Sequence, residues 1–148
     1  MNKSSFEEIL KDEGRLVYSN VGTSMQPLIR QGRDLLIIER TAGRLKKYDV
    51  PLYRRANGQY VLHRIIKVRP DDYVLRGDNQ LYREKGVTDG QILGVLTAVV
   101  RDGKEILVTA TSYRIYVRIW CVLFPVRALF LICAAALRRL KKQIRKKS

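Results

Sequence analysis

A chain of 148 residues with 46% hydrophobic content is long enough for one hydrophobic core and too short for two ordinary domains, which points to one globular domain plus a tail. The net charge of +15 is unevenly spread: ten of the 29 basic residues and none of the 14 acidic ones fall in residues 111–148, so the basicity belongs chiefly to the tail. Cys121 and Cys133 both lie in the apolar part of that tail; without further Cys or His ligands they exclude a disulfide framework and a metal site, and they read as small hydrophobes.

Residues 1–14 have no apolar run and carry four acids, which predicts no cleavable targeting peptide. They read instead as a short helix. Ser5 with Glu8 forms a capping-box pattern, Phe6, Ile9 and Leu10 give one apolar stripe, and Gly14 supplies the C-terminal stop. Leu16-Val17-Tyr18 then leads into the loop Val21-Gly22-Thr23-Ser24-Met25-Gln26-Pro27, where Gly22 allows unusual backbone angles and Pro27 stiffens the following turn. Residues 34–39 form a short apolar strand. Residues 51–55 and 59–68 flank Asn57-Gly58, a two-residue hairpin signal. Pro70-Asp71-Asp72 turns the chain into a strand over 73–76, and Asp102-Gly103 joins strands over 92–101 and 104–108 as another hairpin. Short strands with no helices between them predict a mainly β, antiparallel domain over residues 1–110, followed by a C-terminal membrane-associated segment over 111–148.

In that segment, the 19 residues 119–137 approach the length needed to cross a bilayer as a helix, interrupted by Pro125 and Arg127. Ten Leu, Ile, Val or Phe residues contribute roughly −3 to −6 kcal/mol to insertion, against roughly 2.5 to 3.5 for Arg127 near the middle. From Pro125 onward, Arg127, Ala134, Arg138, Lys141 and Arg145 recur on one side of a helix, with Leu129, Ile132, Ala136 and Leu140 opposite, a pattern that also suits an apolar and basic helix lying in the membrane plane. If the segment spans, the excess of positive charge puts Ser148 in the cytoplasm and the β domain outside. Either form makes membrane lipid, anionic by charge complementarity, the expected partner of the tail.

The chemistry-bearing residues are few. A serine hydroxyl is a poor nucleophile until a neighbouring base takes its proton, and imidazole is the commonest base for that task. Ser24 stands on a tight turn, and His63 is the chain's only histidine. Alternation along residues 59–68 places His63 mid-strand on one face with Val61 and Ile65, a rigid and partly apolar surface. The simpler alternative is that residues 22–27 are only a turn and His63 only fills a strand.

Gly22-Thr23-Ser24-Met25-Gln26-Pro27, His63-Arg64-Ile65 and Arg76-Gly77-Asp78-Asn79 together resemble, in order and spacing, the boxes of the signal peptidase I and LexA-like serine peptidase superfamily, over roughly residues 15–100. With a histidine rather than a lysine at the base position, the chain looks like the archaeal, endoplasmic-reticulum and sporulation branch. The resemblance implies a LexA/signal-peptidase-like antiparallel β fold, no cofactor, and cleavage of a peptide or preprotein substrate through an acyl-enzyme at Ser24 with His63 as general base. Small residues flanking the scissile bond at −1 and −3 are implied as well. The backbone N–H of Ser24 is the expected oxyanion donor. Where many signal peptidases add a serine hydroxyl two positions earlier this chain has Gly22, leaving a second donor to Thr23 or to another backbone N–H.

A third group should orient the imidazole and support its charged form. In the histidine-type family this is an aspartate about half a dozen residues beyond the Gly-Asp-Asn box, a place taken here by Glu84. Asp78 is the rival, although its turn-forming context suits a carboxylate that accepts local N–H groups, and Asp89 comes third. Asp34 and Asp49 are expected to be structural. Two readings from other classes stand beside the peptidase. One is a LexA-like cytoplasmic regulator that cleaves itself or a partner, for which the base lysine is missing and fewer than 25 residues precede Ser24. The other is a non-catalytic basic protein that binds anionic lipid or nucleic acid, which leaves the three boxes unexplained.

Overall fold

The capping pattern at Ser5 forms as read. In the computed structural model, which describes residues 5–19 and 21–147, Ser5 Oγ accepts the Glu8 N–H at 3.3 Å and Glu8 returns a carboxylate to the Ser5 N–H at 2.8 Å. These two bonds satisfy orphan donors at the start of helix α1 (Phe6–Asp12). Gly14 follows its C-terminal cap at φ 70°, and Leu10 is buried in the main core. Residues 1–4, part of the segment judged free of a targeting peptide, lie outside the described residues.

Among the described residues nine strands follow: β1 (Arg15–Ser19), β2 (Asp34–Glu39), β3 (Pro51–Arg54), β4 (Tyr60–Leu62), β5 (Arg64–Val68), β6 (Tyr73–Arg76), β7 (Glu84–Val87), β8 (Ile92–Arg101) and β9 (Lys104–Leu107). The domain is mainly β and antiparallel, as expected. One sheet runs β1-β2-β8-β3-β4, with β9 also paired to β8; the other runs β5-β6-β7. The long strand β8 is the spine of the larger sheet, and a β-carbon on its Gly94 would meet the Glu39 carbonyl oxygen at 2.7 Å. The buried apolar residues form two clusters, the second of which joins Tyr53 and Val61 of the larger sheet to residues of the smaller one. Leu36, Ile38, Leu52, Leu96 and Val99 centre the first, and Tyr53, Ile65, Tyr73 and Leu75 the second.

Three elements differ from the sequence-based expectation. Residues 59–68 are not one strand: they break at His63 into β4 and β5, which belong to different sheets. The break is imposed from outside the segment, because the Asp49 carbonyl accepts the Ile65 N–H at 2.9 Å and Ile65 returns its carbonyl to the Tyr48 N–H at 2.8 Å. Strand β7 was not foreseen; its sequence Glu-Lys-Gly-Val carries one β-branched residue, and it forms by pairing with β6.

The tail holds two helices rather than one, α2 (Thr111–Val122) and α3 (Phe124–Lys147). Pro125 has no N–H for a continuing helical ladder and is tolerated only in a first turn, so α3 starts afresh at Phe124. Among the described residues no single helix is long and apolar enough to cross a membrane; α2 and α3 pass that test only as a pair, bent by 56°. Arg127, the charge that interrupts the apolar stretch, places its guanidinium 3.5 Å from the Trp120 ring centroid, a cation–π contact. Ser148, the end assigned to the cytoplasm, lies outside the described residues. The chain divides into two compact units, one ending at Arg114 and the other starting at Ile115. In the first unit Tyr113 is buried, and its hydroxyl lies 3.5 Å from Arg64 Nη1.

Candidate active site

The Ser24 turn is held at three points. Gly22 sits at φ 102°, a left-handed conformation that suits glycine, and its N–H donates to Gln31 Oε1 at 2.8 Å. Beyond the serine, Met25 and Ile29 are wholly buried in the main core and closed into a turn by the Ile29 N–H bond to the Met25 carbonyl. From the far side comes the Gly-Asp-Asn box. The Asn79 N–H donates to the Ser24 carbonyl at 2.8 Å, and Asn79 Nδ2 reaches the Thr23 carbonyl at 3.4 Å. Gly77 lies so close that a β-carbon on it would meet the Ser24 carbonyl oxygen at 2.7 Å. Thr23 is exposed and Ser24 partly exposed. Among the described residues, no hydrogen bond from the Ser24 N–H is present.

His63 occupies the junction between the two sheets rather than the middle of a strand, and it is only 4% exposed. It lines the same cavity as Ser24, a space of about 190 Å³ whose wall includes Tyr18, Leu52, Arg55, Tyr60 and Leu62. No Ser24–His63 hydrogen bond exists among the described residues. Burial pushes the imidazole down to about 4, since the cation would lose its water; Glu84 and Asp78 oppose the shift and Arg55 adds to it. At neutral pH the ring is therefore uncharged, the form a general base requires.

The three candidate acids have different surroundings. Glu84 stands nearest the ring, with Oε2 at 3.8 Å from His63 Nδ1. Its carboxylate is gripped by Arg55 through two bonds, at 2.7 and 2.6 Å, and held below the usual carboxylate range by Arg55 and Tyr53 despite partial burial. Asp78 forms a buried two-bond pair with Arg64, at 2.8 and 2.7 Å, and Arg64 also reaches the Tyr48 carbonyl at 3.0 Å. Asp89 bonds Arg44 and the Tyr73 hydroxyl. Asp34 is buried beneath Arg33 and Arg101, and Asp49 caps a turn by accepting the Lys46 N–H.

Comparison of the chain with protein-family models, curated proteins and solved structures yields no match. The pieces of the site converge on one end of the smaller sheet: β5 begins after His63, β6 ends before Gly77, and β7 begins at Glu84, with Arg64 opposite Arg76 and Leu75 opposite Glu84. Among the described residues no group of three or more His, Cys, Asp or Glu is placed to hold a metal ion.

Two further residues belong here that sequence reasoning missed. Tyr53 is wholly buried, with its hydroxyl 2.6 Å from Glu84 Oε2 and 3.3 Å from His63 Nδ1, and Arg55 anchors Glu84. A two-residue Asn57-Gly58 turn would set Tyr53 opposite Leu62, on the other face from His63. The loop instead spans three residues, with the Gly58 N–H bonded to the Arg55 carbonyl and the Arg55 N–H to the Gln59 carbonyl, and this register sets Tyr53 opposite Val61 and diagonal to His63.

Proposed function

We propose that this protein is a membrane-associated serine endopeptidase of the signal-peptidase type, which cleaves a leader or signal segment from a peptide or preprotein. The observation that carries the reading is the shared cavity of Ser24 and His63, with the Ser24 turn clasped by Gly77 and Asn79. In the reaction, Ser24 Oγ attacks the scissile carbonyl carbon as its proton passes to the neutral His63 ring. The carbonyl oxygen becomes an oxyanion facing the Ser24 N–H. Collapse of the tetrahedral intermediate breaks the C–N bond, and His63 returns the proton to the leaving amine. Water then attacks the acyl-enzyme, again giving a proton to His63, and the new carboxyl end leaves as Ser24 recovers its hydrogen. Glu84 provides the negative charge that favours the transient imidazolium.

The tail supports action at a membrane. Val126, Leu129, Phe130, Ile132, Leu137 and Leu140 are exposed on α3, which continues into the run Arg138 to Arg145. Apolar surface of that kind next to a basic segment suits anionic lipid. If the tail spans, the β domain faces outward.

Turnover of a peptide with an Ala-X-Ala site, measured in detergent on wild-type, Ser24→Ala and His63→Ala proteins, tests the reading. Each substitution should abolish cleavage and leave the β domain folded, because either loss disables the same proton-coupled attack. A His63→Ala protein that keeps the wild-type rate would refute the histidine-base assignment.

A further inference from the structure

The acid and the base of this site do not touch. At 3.8 Å, Glu84 Oε2 and His63 Nδ1 are beyond hydrogen-bond distance, and Arg55 fixes the carboxylate from its other side. Tyr53 Oη fills the gap, within 2.6 Å of the carboxylate and 3.3 Å of the ring nitrogen. A phenolic hydroxyl has one proton to donate and lone pairs to accept with, whereas an ionised carboxylate only accepts. The short contact to Glu84 therefore takes the Tyr53 proton; the reverse arrangement would set two unprotonated oxygens against each other at 2.6 Å. What remains on Oη is a lone pair, and the ring nitrogen facing it must bring the hydrogen.

We propose that Tyr53 is a positioning residue that relays the Glu84 carboxylate to His63 and thereby holds the imidazole in its Nδ1–H tautomer, with Nε2 unprotonated for Ser24. This rests on the peptidase reading and specifies how the base of that same site is set. The opposite tautomer would carry hydrogen on Nε2 and could not accept the Ser24 proton. Tyr53 is wholly buried in the second core, so its side chain is fixed by packing against Ile65, Tyr73 and Leu75. That makes the relay a property of the β3–β4 hairpin rather than of a mobile surface group.

The full-length protein in detergent micelles, labelled with nitrogen-15, provides the test. His63 is the only histidine, so every imidazole nitrogen signal at neutral pH belongs to it. The expected wild-type signature is a protonated Nδ1 and an unprotonated Nε2. In Tyr53→Phe, which keeps the buried ring, the population should move toward Nε2–H, with kcat on the Ala-X-Ala peptide falling about 10²-fold and KM unchanged. A wild-type ring protonated at Nε2 overturns the proposal without any variant. So does a Tyr53→Phe protein that keeps both the Nδ1–H signature and the wild-type kcat. If the wild-type protein cleaves no peptide while Tyr53→Phe still switches the tautomer, the relay stands and the peptidase reading falls.

Discussion

Gly77 and Ser24 are in such close contact that a single methyl group cannot be placed between them: a β-carbon on Gly77 would stand 2.7 Å from the Ser24 carbonyl oxygen. It would also meet the Gln80 side-chain oxygen at 2.9 Å, but that side chain can swing away. The Ser24 carbonyl cannot yield without moving the Ser24 turn, since the Asn79 N–H is bonded to the same oxygen.

Gly77→Ala should therefore lower both kcat and stability. Overpacking of this kind costs about 1 to 3 kcal/mol, which a urea titration would read, while the displaced hydroxyl should cut peptide turnover at least about tenfold. Unchanged turnover in a folded Gly77→Ala protein would show that the clasp does not set the nucleophile.

The lowered affinity of His63 for protons predicts two pH effects. Its folded value of about 4 lies below the ordinary value of 6.5 for an exposed imidazole, so the unfolded chain binds more protons between the two. Stability contributed by the neutral ring is complete above pH 6.5 and is lost as pH falls toward 4, with a limiting slope of about 1.4 kcal/mol per pH unit. Glu84, also held down in the folded state, acts in the same direction. Urea unfolding from pH 7 to pH 4 should show this loss, and His63→Gln should flatten it. The acid limb of kcat/KM for the free enzyme should fall near pH 4 rather than near 6.5.

Glu84 and Asp78 should separate by what their removal damages. Glu84→Gln removes the charge beside the ring and should lower kcat by orders of magnitude. Asp78→Ala leaves Arg64, only 1% exposed, with a buried uncompensated charge, and should destabilise the fold by about 3 to 5 kcal/mol. Peptide turnover and urea unfolding on the same pair of proteins check both; the opposite ranking of turnover would hand the supporting role to Asp78.

Much of the scaffold was legible because its signals are local. The Ser5–Glu8 capping box, the Asn57-Gly58 hairpin and the Asp102-Gly103 hairpin each depend on a few neighbouring residues. The break at His63 was hidden for the opposite reason. Residues 59–68 contain neither Gly nor Pro to mark it, and the bonds that make it come from Tyr48 and Asp49. Tyr53 was hidden because a two-residue Asn57-Gly58 turn puts it on the other face from His63, and the observed loop shifts the register by one residue. Arg55 and Glu84 meet across the boundary between the sheets, a relationship with no trace in spacing.

The tail predicts a difference between two truncations. A chain ending at Arg114 retains Tyr113 and should give a stable β domain that stays in the supernatant. One ending at Thr109 loses the Tyr113 packing over Arg64 and should unfold at lower urea. The full-length protein should sediment with vesicles containing anionic lipid, and release by high salt would indicate a helix in the interface, whereas resistance to salt and carbonate would indicate a span. Full-length protein that stays in the supernatant at low salt would sink the membrane proposal.

His63, the clasp on Ser24 and Glu84 all hang from one end of the three-stranded sheet, whereas Tyr18, Leu52, Tyr60 and Leu62 line the cavity from the six-stranded one. Tyr53, on β3, reaches the same site from the six-stranded side. On the peptidase reading, the group that sets the base thus stands on the same hairpin as the cavity wall at Tyr60 and Leu62, so a change that tilts this hairpin would alter both which side chain is accommodated and how the imidazole is held. Retargeting without disturbing the base would fall to Tyr18, which lines the cavity from β1 rather than from that hairpin.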